Sequence, residues 1–380
     1  MNIRGYKTAA ERRNALEKEQ QIDLSHTGKF TFDEKSASAK NCENMIGATH
    51  IPLGIAGPLH IEGEQAKGEF YLPLATTEGA LVASVARGSK AINLSDGVVV
   101  YTCRVGQTRG PVFLVKSLQE RKELYSWIRK NGSALKRVAE GTSRHLKFKN
   151  AVSQGVAHYL FVRFSFETGD AMGMNMVTIA TQAMAEFIEK ETGAELLAVA
   201  GNFDIDKKPA WLNFINNRGF PVWAEVVLKK EVVETVLKTT SEQFFEVWLA
   251  KCMIGSAMSG SLGFNSHYAN IIAALFIATG QDPAHVVEGS MGITTAKVLP
   301  TGDLYVSIYL PALNIGTIGG GTSLSTQQEA LELLQVAGAN NVEKFAEIIG
   351  GAVLAGEISL LASLSEGSLS KSHERLGRGK

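Results

Sequence analysis

Excess charge is missing from this chain of 380 residues: 38 lysines and arginines meet 38 aspartates and glutamates, for a formal net charge of +0. Such balance argues against a basic nucleic-acid surface, while leaving room for a local phosphate patch. Cysteine is scarce. Cys42, Cys103 and Cys252 stand far apart without metal-ligand pairing, which reads as three reduced thiols in a cytosolic protein and not as a zinc site; no metal is expected. The most apolar run, Ile271 to Ala278, is far too short to span a bilayer, and Met1 to Gln20 is charged and unlike a signal peptide. No membrane segment and no secretion are therefore expected. Internal repeats, low-complexity tracts and a G-x-G-x-x-G nucleotide fingerprint are absent too. What is present, 45% hydrophobic and 20% charged residues, fits a soluble globular protein of two or three domains.

Local patterns divide the chain. Residues 9–20 read as a charged helix in a small N-terminal helical arm, 1–43, and 44–75 as short strands between glycine turns. Thr76 and Thr77 are expected to cap a buried, nearly all-apolar helix reaching about Ile92, with Glu78 in its first turn. Between 110 and 199 the order is strand (112–115), helix (118–130), strand (146–152), strand (159–166), helix (176–191), strand (196–200). That βαββαβ order is the signature of a ferredoxin-like module. Long helices are expected at 231–258, 266–279, 325–337 and 341–364. The fold class is thus α+β: a large helix-rich domain, 44–109 and 200–380, carrying an inserted ferredoxin-like dinucleotide-binding domain.

Several segments can carry chemistry. Gly169-Asp170-Ala171-Met172-Gly173-Met174-Asn175-Met176 closes an apolar strand and opens an apolar helix, where unpaired backbone N–H groups and the helix dipole suit an anion such as pyrophosphate. A plain Asp-capped turn with Met as core filler is the alternative. Glu78, desolvated at a buried helix start, can hold a proton and act as an acid, or it is an ordinary first-turn carboxylate. Asp206-Lys207-Lys208-Pro209 places two lysines in a proline-stiffened turn, either solvated or poised to stabilise an oxyanion. Asp282 follows a helix-ending Gly280 and needs a partner such as a lysine. His373 lies in a polar tail, a solvated histidine or a mobile proton donor. Gly316 to Thr322 precedes a helix capped near Ser325 or Thr326, with Glu329 completing a capping box. Its three adjacent glycines suit a second phosphate contact or a tight loop.

Together these residues resemble the 3-hydroxy-3-methylglutaryl-coenzyme A reductase family. Glu43-Asn44-Met45-Ile46-Gly47, Thr76-Thr77-Glu78-Gly79, Asp170 to Asn175, Asp206 to Pro209, Gly280-Gln281-Asp282, Gly319 to Thr322 and Lys371-Ser372-His373 match its motifs in order and spacing. The resemblance implies an NADPH-dependent reduction of a thioester to an alcohol, giving mevalonate and coenzyme A. It implies that Lys207 stabilises the oxyanion, Glu78 gives a proton, Asp282 tunes both and His373 protonates the departing thiolate. It puts substrate contacts on Arg109, Asp206, Lys208, Lys251, His267 and Asn270, and coenzyme A contacts on Ser84, Arg87 and Lys90. Dinucleotide contacts fall on Ser143, Arg144, Asp170, Met172, Gly173, Met174, Asn175, Met176, Gly319, Gly320 and Gly321, with Arg144 suited to a 2′-phosphate. A homodimer with shared active sites is implied, with tetramers open, in a cytoplasmic enzyme whose motifs look like the biosynthetic class I. An NADH-linked mevalonate-degrading reductase and a non-catalytic coenzyme A- or nucleotide-binding homologue are the alternatives. Ala200 stands where many relatives carry a serine, which puts one substrate hydrogen bond in doubt.

Overall fold

Alternating burial builds the main sheet. In Phe220–Leu228 the side chains of Val222, Ala224, Val226 and Leu228 are buried while Trp223, Glu225 and Val227 face outward, the period-2 signature of a strand with one covered face. The computed structural model describes residues 5–367. Its strands are β1 (Leu53–Gly63), β2 (Lys67–Ala75), β3 (Val98–Thr102), β4 (Gln107–Arg109), β5 (Val112–Leu114), β6 (Lys147–Val156), β7 (Tyr159–Glu167), β8 (Glu195–Ala198), β9 (Phe220–Leu228), β10 (Gly263–Phe264), β11 (Gly292–Val298) and β12 (Leu304–Leu313). Seven of them form one sheet in the order β10-β11-β12-β9-β3-β1-β2.

The covered face of that sheet packs on the helix Val342–Glu366. This helix is long and apolar enough to cross a membrane, yet 83% of its most apolar stretch is buried in the protein. It is the core helix, and each buried Leu or Ile on it contributes roughly 1.5–3 kcal/mol. Contact with the helix Leu81–Asn93 is close: a Cβ on Gly88 would lie 1.9 Å from the Ala355 carbonyl oxygen. Only glycine permits that approach.

The smaller sheet has its own core, with Phe113, Val162, Phe164 and Phe166 packed against Leu124, Leu135, Val177 and Ile188. β5 pairs with β8 on one side and β7 on the other, and β7 pairs with β6, all antiparallel. β4 extends the β5 position along β7, so this sheet begins at Gln107, ahead of the expected boundary at 110. The helices Leu118–Lys130, Gly132–Glu140 and Met174–Thr192 accompany it; the second of these was not expected. At the N-terminus, the helices Ala9–Gln20 and Glu34–Lys40 bury only Ala9 and Ala37, beside Met45.

Several expectations are corrected. The large part is not simply helix-rich, because β9, β11 and β12 run where no strands were foreseen. The expected helix 231–258 is broken into Lys230–Thr235, Ser241–Trp248, a π-helical turn Leu249–Gly255 and Ser256–Ser259. Thr76 caps no helix: its Oγ1 accepts the Glu78 N–H at 2.9 Å, and the helix starts at Leu81 after Ala80 in the left-handed region, φ 77°. Glu78 is therefore exposed in a turn and not desolvated. The helix itself is amphipathic, burying Leu81, Val85, Gly88, Ser89, Ala91 and Ile92. The capping box at Ser325 to Glu329 does not form, since the N-cap is Leu324 and no side chain caps it.

Candidate active site

A fully buried arginine organises the floor of the site. Arg218 Nη1 donates to Glu288 Oε1 at 2.9 Å and Nη2 to Asp206 Oδ1 at 3.0 Å, while Nε reaches Thr108 Oγ1 at 3.0 Å. Glu288 Oε1 also accepts from Asn314 Nδ2 at 3.1 Å, from the Lys207 backbone N–H at 3.2 Å and from His285 Nδ1 at 2.7 Å. Arg109 holds Asp204 and Asp206 at 3.1 and 3.4 Å. Buried charges survive only when paired and hydrogen-bonded in this way. Asp206, His285 and Glu288 bring ligand atoms within 4.8 Å of one another, but Arg218 donates to two of the three, so a metal ion there would face a buried guanidinium.

On this floor stands the lysine turn. Lys207 has φ 58°, a left-handed conformation that costs a bulky residue about 1–3 kcal/mol and persists where the surroundings dictate it; here its N–H is anchored on Glu288. Its side chain rises so that Nζ lies 2.8 Å from Asp282 Oδ2, with both side chains over one-third exposed or close to it, at 39% and 34%. The expected lysine partner of Asp282 is thus present. Burial pushes the Asp282 carboxyl up, but hydrogen bonds from Lys207 and the Ala284 N–H outweigh it and hold the group below its ordinary value. Lys208 Nζ turns back to the Asp206 carbonyl at 3.3 Å.

Beside the turn opens a cavity of about 700 Å³, lined among others by Pro209, Lys251, Ser256, His267, Asn270 and Val287. Lys251 projects from the π-helical turn, a distortion frequent at functional sites. Asn270 Nδ2 donates to Glu78 Oε2 at 2.7 Å, which ties Glu78, far away in the chain, to a residue of the cavity wall. His267 is fixed by the buried Glu357, which accepts the Ser266 and His267 N–H groups at 2.8 and 2.7 Å and the Thr294 hydroxyl at 2.7 Å. Burial, then the nearby Glu357, pushes the Cys252 thiol up to about 12, so it is inert as a nucleophile.

The second loop cluster gathers a helix start and a glycine-rich loop into a cradle of backbone N–H groups. Gly173, φ 84°, is the N-cap of Met174–Thr192, and no side chain caps that helix, leaving its first N–H groups for a ligand. The Asp170 carbonyl accepts from Thr317 N–H at 2.9 Å, which docks the glycine loop beside it. Gly319 and Gly320, φ 82° and 57°, have nothing within 4 Å of where a Cβ would stand. The loop is joined to Asp282 as well, because Gln281 Oε1 accepts the Gly316 N–H at 2.9 Å. Asn175 is exposed and Met172 and Met176 are half-buried at this edge. Arg144 is exposed, its Nε donating to His145 Nε2 at 3.0 Å, next to a half-buried Ser143.

The expected coenzyme A residues divide. Lys90 is exposed, whereas Ser84 and Arg87 bind Ser359 of the core helix at 3.0 Å each. His373 lies outside the described residues. Sequence reasoning missed Arg218, His285 and Glu288. The only signal for the last two was their spacing of three, in Pro283-Ala284-His285-Val286-Val287-Glu288, which puts them on one side of a helical turn.

The family model and the relatives it gathers make this α+β protein an oxidoreductase. The chain belongs to the hydroxymethylglutaryl-coenzyme A reductase family, whose profile matches residues 8–378. It is 53% identical over 381 residues to the 3-hydroxy-3-methylglutaryl-coenzyme A reductase of Methanocaldococcus jannaschii, covering 98% of this chain and 94% of that one. The enzyme of the same name from Methanothermobacter thermautotrophicus is 50% identical over 369 residues, covering 97% and 93%. Among solved structures, the class II reductase of Streptococcus pneumoniae bound to NADPH superposes with a TM-score of 0.70 at 18% identity, covering 96% of this chain and 99% of that chain. At that identity the likeness is one of fold.

Proposed function

We propose that this chain reduces 3-hydroxy-3-methylglutaryl-coenzyme A to mevalonate and coenzyme A with two molecules of NADPH, in the mevalonate route to isoprenoids. The observation that carries the reading is the Lys207–Asp282 pair at 2.8 Å, set near the cavity whose wall residue Asn270 binds Glu78. Bound NADPH supplies the hydride. Negative charge then develops on the substrate oxygen, where the Lys207 ammonium stabilises it most in the transition state. Asp282 holds that ammonium in place, and Glu78 gives a proton as the alcohol forms. His373, by resemblance, protonates the departing thiolate.

For the free carboxylate of the acyl group, the exposed cations Lys208 and Lys251 are the receptors, with His267 and Asn270 on the cavity wall. Arg109 is already engaged by Asp204, Asp206 and Thr178, so its part is to hold Asp206 more than to meet substrate. Ser84 and Arg87 brace the helix that presents Lys90 to coenzyme A. The dinucleotide fits the cradle: the uncapped helix start at Gly173 and the open glycines 319 and 320 suit pyrophosphate, and Arg144 with Ser143 suits a 2′-phosphate.

The order β8-β5-β7-β6 supports a ferredoxin-like insert carrying the dinucleotide site, between the two stretches of a substrate domain and after an N-terminal arm. The Asp-Ala-Met-Gly-Met-Asn and Asp-Lys-Lys-Pro motifs support class I biosynthetic character. A homodimer agrees with the aromatic outer face of the main sheet, where the exposed Tyr101 and Trp223 and the half-buried Tyr309 have ring centroids 5.7 and 5.2 Å apart.

The test follows absorbance at the nicotinamide band with the thioester and NADPH, alongside mevalonate formation. Oxidation of two NADPH per mevalonate is expected; no substrate-dependent oxidation would overturn the reading. Repeating it with NADH separates this reading from the NADH-linked degradative one.

A further inference from the structure

The chemistry above makes no use of His285, yet this fully buried imidazole stands among three carboxylates. Its Nδ1 lies 2.7 Å from Glu288 Oε1 and 3.9 Å from Asp206 Oδ1, and its Nε2 lies 3.8 Å from Asp282 Oδ2. Among the described residues Nε2 has no hydrogen-bond partner. The cations facing the same groups are Arg218, on Glu288 and Asp206, and Lys207, on Asp282. Asp204 and Arg109 form a paired layer behind them.

The Nδ1 contact fixes the ring. A carboxylate oxygen can only accept, so Nδ1 carries the proton of that bond, and Nε2 is the ring atom left to gain or lose one. It points at the very oxygen that grips the Lys207 ammonium. An imidazole lone pair aimed at a carboxylate in a dry site is repulsive, whereas an N–H there is attractive. Asp282 is one-third exposed and free to lean inward, since such bonds are commonly long before substrate binds and tighten afterwards.

We propose that His285 is a positioning residue: its Nε2–H, held in line by Glu288, anchors Asp282 from beneath and so fixes where Asp282 holds Lys207. The inference rests on the oxyanion role of Lys207. No proton is transferred; the bond orients the carboxylate.

The test compares kcat and KM for wild type, His285→Leu and His285→Gln, because the glutamine amide can donate at the Nε2 position. His285→Leu is expected to lower kcat at least about tenfold with the substrate KM nearly unchanged, the effect of losing one hydrogen bond to a charged group. His285→Gln is expected to restore most of kcat. A second readout is 15N-histidine NMR, with the His285 signal assigned by its loss in His285→Gln; Asp282→Asn should move its Nε2 resonance. Unchanged kcat in folded His285→Leu, or an Nε2 resonance indifferent to Asp282→Asn, would overturn the inference. If instead Lys207→Ala keeps its kcat while the Nε2 resonance still responds to Asp282→Asn, the oxyanion reading has failed and the anchoring contact stands.

Discussion

Two ion pairs of nearly equal length lie one above the other, Arg218–Glu288 at 2.9 Å and Lys207–Asp282 at 2.8 Å, but the first has no exposed surface and the second is over one-third exposed on the lysine side. The distance says little about what each does. Removing one member of a buried pair strands an uncompensated charge and costs about 3–5 kcal/mol, whereas an exposed pair is worth roughly 0–1 kcal/mol. The inner pair, locked by Asn314, His285 and the Lys207 N–H, holds the turn in shape. The outer pair is cheap to rearrange, so its ammonium can turn to a substrate oxygen. Stability and chemistry are stacked in adjacent layers, joined by the backbone of Lys207.

The comparison breaks most sharply at Arg218. Arg218→Met should destabilise the protein by about 3–5 kcal/mol, because Glu288 and Asp206 lose their buried cation. Urea unfolding checks this, and a loss below about 1 kcal/mol would put the floor in the same energetic class as the rim. A smaller effect is expected from acid. The Asp282 carboxyl stands below its ordinary value in the folded protein, so its pairing adds stability above the unfolded value of about 3.9 and loses it as pH falls through the lowered folded one. Unfolding followed from pH 6 downward should therefore show an acid slope that is shallower in Asp282→Asn; parallel slopes would deny the pair any part in folding. Smallest and most local is Arg144→Ala. At the far edge of the cradle it should raise the KM for NADPH about tenfold, the worth of one charge-assisted hydrogen bond, and leave NADH unaffected. Equal changes for both dinucleotides would remove the 2′-phosphate contact.

Much of the rim was readable in the sequence and little of the floor. Lys207, Asp282, Glu78 and the glycine turns stand in motifs whose residue types announce charge or turning, and the structure brings Lys207 to Asp282 and Glu78 to Asn270. Arg218 lies in a loop with no period to mark it as buried, and its partners come from segments 12 and 70 residues away in the chain, so only the fold reveals the cluster. The exposure of Glu78 was misread because the left-handed Ala80 delays the helix to Leu81, a backbone event that threonine caps do not forecast. The missed strands are a different matter. The alternation Val222-Trp223-Ala224-Glu225-Val226 is a legible strand pattern, lost because the neighbouring segments favoured helices. Glu347 and Glu357, buried acids on the core helix, went unread as well, because their partners come from distant loops: Glu347 accepts the N–H groups of Gln65 and Ala66 at 2.9 and 2.6 Å.

The division between a floor that holds and a rim that acts is tested most directly by Lys207→Ala, measured twice on one preparation, by urea unfolding and by NADPH oxidation with 3-hydroxy-3-methylglutaryl-coenzyme A. Stability within about 1 kcal/mol of wild type, with kcat reduced about 100- to 1,000-fold as for loss of an oxyanion donor, is the expected result. A variant that turns over at a near-normal rate, or one that loses turnover only because it unfolds, would contradict it.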